Sequence, residues 1–61
     1  MKRTALTRHL KKHKCRVRRE GKHEVWENED STKAAPVPRH QEIKDKLAAI
    51  ICDQLGIPRV K

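Results

Sequence analysis

Between residues 41 and 55 the apolar side chains Ile43, Leu47, Ile50, Ile51 and Leu55 recur at i, i+4, i+7, i+8 and i+12, the spacing that puts them on one side of an α-helix. That stripe cannot be left facing water, so whatever the rest of the chain forms has to cover it. Gly56 follows where a left-handed C-cap is wanted. Glu42 and Asp45 fall in the first turns, where negative charge complements the helix dipole, and Glu42 with Lys46 makes a favourable i, i+4 pair. His40 sits at or just before the N-terminus of this helix, beside free backbone N–H groups that attract anions.

The cover must come from little material. Of the 61 residues, 34% are apolar, with one Trp and no Phe or Tyr, so the core rests on a few Leu, Ile and Val side chains and any substrate site is shallow. A helix over 4–13, with Thr4 as its N-cap, places Leu6 and Leu10 on one face. Residues 14–19 alternate, Cys15 and Val17 on one side and Arg16 and Arg18 on the other, as in a half-buried strand. Gly21 then supplies the positive φ of a tight hairpin, and Val25 and Trp26 continue as extended chain. A two-residue loop would set Arg18 opposite His23. A three-residue loop with a bulge sets Arg19 opposite His23 and Val17 opposite Val25, and this register is preferred because it pairs apolar with apolar. The acidic run 29–32 reads as a turn, and 33–37 returns as an edge strand, since Pro36 cannot donate to a ladder. The expected architecture is therefore one small α+β domain spanning 1–61: helix, three antiparallel strands, helix, with both helices on one face of the sheet, as in double-stranded-RNA-binding domains.

Charge is distributed unevenly along this framework. Residues 1–23 carry ten Lys or Arg against one Glu, residues 24–32 carry four acids and no Lys or Arg, and the net charge of the chain is +8. A basic face over the first third suits a polyanion, most simply RNA, with Arg16 and Arg18 as a backbone clamp and Arg19, Lys22, Lys11, Lys12 and Arg39 as further phosphate contacts. The plainer readings are a solubilising surface or a dock for an acidic protein. After Met1-Lys2-Arg3 no apolar run of signal-peptide or membrane-span length follows, and a cytoplasmic location is expected. Cys15 and Cys52 are expected as buried thiols rather than a disulfide. His9 and His13, four apart, lack a third ligand, so no metal is expected there.

The residue with chemistry to offer is His23, delivered by the glycine turn between Lys22 and Glu24. Cleaving RNA needs a base for the 2′-hydroxyl proton, an acid for the leaving 5′-oxygen and positive charge on the phosphorane-like transition state. An imidazole can do either proton job, and Lys22 and Arg19 can stabilise the developing negative charge. His40 is the candidate second proton carrier, if the segment before the last helix folds back. Trp26 reads as a core or edge anchor against the last helix rather than a base-stacking platform.

Three segments, in order, resemble one family. Gly21-Lys22-His23-Glu24-Val25-Trp26-Glu27-Asn28 is similar to the glycine–x–histidine strand of the HicA toxins, Val37-Pro38-Arg39-His40-Gln41-Glu42-Ile43 to their V-P-R-H segment, and Ile51-Cys52-Asp53-Gln54-Leu55-Gly56-Ile57-Pro58 to their helix end. Many members have Ser where this chain has Lys22, which changes local charge and leaves the imidazole in place. The resemblance implies a small mRNA endoribonuclease that cuts without a metal or cofactor, uses the histidine after the glycine, here His23, and is silenced by a HicB-type antitoxin covering the site. The alternative class is a non-catalytic double-stranded-RNA-binding module sharing the fold and charge.

Overall fold

Leu6 and Leu10, one helical turn apart, are both fully buried, and they meet the apolar side of a sheet whose middle strand carries Trp26. The computed structural model describes residues 1–60. In chain order its elements are α1 (Arg3–Lys12), β1 (Arg16–Arg19), β2 (Glu24–Glu27), β3 (Ala34–Val37) and α2 (Asp45–Leu55). The sheet is antiparallel with β2 central, and both helices contribute to the core on one of its faces, as expected. Pro36 lies on the edge strand β3 opposite Val25. Alternation along the ladder puts Glu24 and Trp26 on the helix side with Ala35 and Val37, and Val25 and Glu27 on the open side.

The hairpin register differs from both expected forms. Arg16 faces Glu27, Val17 faces Trp26 and Arg19 faces Val25, with Arg18 as the extra, bulged residue. The loop is therefore longer, and His23 precedes β2 instead of facing an arginine across the ladder. Two attachments explain the slip: Trp26 takes the core position across from Val17, and Arg16 and Arg18 both reach the Glu27 carboxylate. Gly21 does not take the expected positive φ. Gly56 is the glycine that does, at φ 70°, as the left-handed C-cap of α2.

Helix α2 begins at Asp45, four residues later than expected, because residues 41–43 are extended beside the N-terminal residues. Arg3 N–H donates to Gln41 O (2.8 Å), Ile43 N–H donates to Met1 O (2.8 Å), and Lys2 bridges Glu42. Ile43 is buried as foreseen, but from this bridge and not from the helix, so the Glu42–Lys46 helical pair does not form and His40 is not at the helix N-terminus. The buried face of α2 is Ala48, Ile51, Cys52 and Leu55, with Leu47 partly covered, while Ile50 is 43% exposed. In α1 the cap position falls on Lys2, without a side-chain hydrogen bond, and Thr4 lies inside the first turn. Cys15 and Cys52 are free, buried thiols.

The two glycines should respond oppositely to substitution. Gly56→Ala forces a Cβ into the left-handed region and is expected to cost about 1 kcal/mol. Gly21→Ala meets nothing within 4 Å and should change stability by less than about 0.5 kcal/mol. Urea unfolding midpoints of the two variants check the contrast.

Candidate functional site

Because β2 starts with Glu24 on the helix side, its carboxylate points towards the N-terminal turn of α1, where Arg3 waits. Arg3 pairs with Glu24 Oε1 and also donates from Nε to Pro38 O (2.9 Å). Trp26 Nε1–H donates to the same Oε1 (3.1 Å), and Arg39 Nη1 lies 3.7 Å from Oε2. Burial by itself would raise the Glu24 pKa. The hydrogen bonds from Trp26 and Arg3 and the charges of Arg3 and Arg39 outweigh it, holding this carboxyl below the ordinary glutamate range.

The same guanidinium reaches the hairpin loop. Arg39 Nε–H donates to Gly21 O (3.2 Å), so the V-P-R-H segment and the glycine–x–histidine segment are joined at one end of the sheet. Lys22 and His23 are exposed on that loop, Arg19 is exposed at its other foot, and His40 is exposed one residue beyond Arg39. An open cleft of about 390 Å³ is lined by Lys2, Arg3, Thr4, Arg39 and Gln41.

The remaining basic residues are elsewhere. Lys11 and Lys12 are exposed on the last turn of α1, about 13 Å along the helix axis from Arg3 at 1.5 Å per residue. Arg16 and Arg18 share the open face, as expected for a clamp, but they grip Glu27 at 2.8 Å and 3.7 Å, and Arg16 also donates to Ser31 Oγ (2.7 Å) and Glu29 O (3.1 Å). Any phosphate there competes with an internal carboxylate. No motif in the sequence singles out Arg3, Lys2 or Glu24. The available signal was an acid two residues before the lone Trp, on its side of a strand.

His9 and His13 stack edge to face with ring centroids 4.6 Å apart, and His9 Nε2 makes a hydrogen bond with Pro58 O (2.5 Å), so the pair packs onto the C-terminal segment. Among the described residues no group of three or more His, Cys, Asp or Glu is placed to hold a metal ion. Burial pushes both thiols up, which keeps Cys15 and Cys52 protonated and unreactive near neutral pH. Among the described residues no helix is long and apolar enough to cross a membrane. Trp26 is a core residue, 2% exposed, as its sequence position suggested.

These features define a class: a small basic α+β protein with the helix–three-strand–helix order of double-stranded-RNA-binding domains and an exposed histidine on an anchored hairpin. The particular family follows from comparison. The model described as HicA toxin of bacterial toxin-antitoxin matches residues 4–57, and the chain belongs to that family. Comparison with curated proteins and with solved structures returned no match.

The Glu24 cluster has a signed pH consequence. A carboxyl whose folded pKa is depressed contributes stability that is fully present above its ordinary unfolded value and is lost as pH falls through the folded one. The stability gap between the parent and Glu24→Gln should therefore shrink steadily below about pH 4.5, measured by urea unfolding across an acid series. A gap independent of pH would contradict an ionised Glu24 as its source.

Proposed function

We propose that the chain is a cytoplasmic mRNA endoribonuclease, the toxin of its pair, with His23 as its catalytic residue. The observation that supports this reading most is the placement of His23: an exposed imidazole between Lys22 and Glu24, two residues beyond a backbone carbonyl anchored by Arg39. In the reaction a base removes the ribose 2′-hydroxyl proton, the 2′-oxygen bonds to phosphorus, and the phosphorus–5′-oxygen bond breaks as an acid protonates the leaving oxygen. The products are a 2′,3′-cyclic phosphate and a 5′-hydroxyl end, so no water or metal is required by the balance of the step. His23 takes one of the two proton roles, and His40, exposed at the same end of the sheet, is the candidate for the other.

Lys22 and Arg19 are the exposed cations nearest to His23 along the chain and are assigned to the phosphorane and its flanking phosphates. Lys11 and Lys12 extend the basic track along α1. Arg16 and Arg18 join it where RNA displaces Glu27. A HicB-type antitoxin fits as the inhibitor by covering the His23 loop. The competing reading, a double-stranded-RNA-binding module without catalysis, uses the same fold and differs in leaving RNA intact.

His23→Ala decides between them. The parent should arrest growth and cleave mRNA when expressed without its antitoxin, and the variant should lose at least about 10²-fold in cleavage while keeping its fold and RNA affinity. A variant as toxic and as active as the parent ends the assignment; RNA bound but uncut by the parent favours the binding module.

A further inference from the structure

Arg39 is half-exposed beside the cleft, which suits a phosphate ligand, yet two edges of its planar fork are turned inward. Nε donates to Gly21 O at 3.2 Å and Nη1 lies 3.7 Å from Glu24 Oε2. Among the described residues no turn-type backbone hydrogen bond falls on residues 20–23, and all four are exposed. Gly21 has neither a left-handed φ nor a side chain to pack, so nothing intrinsic to the loop sets its path. An external tie does so instead. It runs from the buried Trp26 indole to Glu24, from Glu24 to Arg39, and from Arg39 to the carbonyl two residues before His23.

We infer that Arg39 is a positioning residue that fixes the His23 loop through Gly21 and Glu24, and that it is not a phosphate contact. This rests on the assignment of His23 as the catalytic imidazole. The guanidinium shape matters as much as its charge, because one group must satisfy a carbonyl and a carboxylate on different sides. A lysine ammonium on a flexible stem keeps the charge and lacks the fork. The loss on substitution should therefore fall on turnover, where a misplaced imidazole is penalised, and not on affinity.

The test uses the full chain as parent, Arg39→Ala and Arg39→Lys, with a labelled in-vitro mRNA transcript and ¹⁵N relaxation of the loop amides. Both variants should drop the backbone order parameters of residues 21–23 from about 0.85 towards 0.6 or below. Both should lower kcat by about tenfold or more, with KM within about twofold and the salt dependence of RNA binding unchanged. Unchanged loop order overturns the inference. So does a raised KM at constant kcat with the salt slope reduced by about one, which is the signature of a phosphate contact, or full rescue by lysine. If His23→Ala proves as active as the parent, the nuclease assignment fails, and the order parameters still decide whether Arg39 holds the loop.

Discussion

In a chain with sixteen Lys and Arg against eight Asp and Glu, one carboxylate gathers the parts. Glu24 lies on the core side of the central strand and is bound at once by the indole of Trp26, by Arg3 from α1 and by Arg39 from the segment after β3. Removing it would leave the Arg3 and Arg39 guanidinium groups without the carboxylate that both of them pair with. Through Arg39 the same carboxylate reaches the loop that carries His23, so the packing of the core and the placement of the imidazole share one anchor.

The positive charge is less available than its sum suggests. Arg3 and Arg39 are committed to Glu24, and Arg16 and Arg18 to Glu27. Arg19, Lys22, Lys11 and Lys12 are exposed, and among the described residues none of them appears in an ion pair. At the hairpin end the exposed cations are Arg19 and Lys22, and Lys11 and Lys12 lie on the last turn of α1. Any anion drawn to Arg16 and Arg18 has to compete with Glu27 for them.

The order of elements was legible because it rests on local pattern: Leu6 with Leu10, the alternation around Val17, Pro36 at an edge, and the stripe ending at Leu55 and Gly56. Periodicity overextends the last helix because Ile43 continues the helical period while being buried through a backbone bridge to Met1 and Lys2, a long-range contact that periodicity does not carry. The hairpin register is hidden from the sequence for the same reason. It depends on a bulge at Arg18 and on where the Glu27 and Trp26 side chains find partners, not on the glycine expected to set the turn. Of the candidate site, His23 and His40 were visible as residue types, whereas the Arg3–Glu24–Arg39 cluster joins three distant segments and becomes visible only in the fold.

The most direct measurement is a ¹H–¹⁵N titration of the full chain with a 2′-O-methyl RNA, which offers the phosphates and removes the attacking hydroxyl. The largest shifts are expected at the His23 imidazole and at the amides of Lys22 and Arg19, with Arg39 and Gly21 keeping their mutual hydrogen bond. Shifts confined to the open sheet face around Arg16 and Glu27, with the His23 ring unmoved at saturation, would contradict the account.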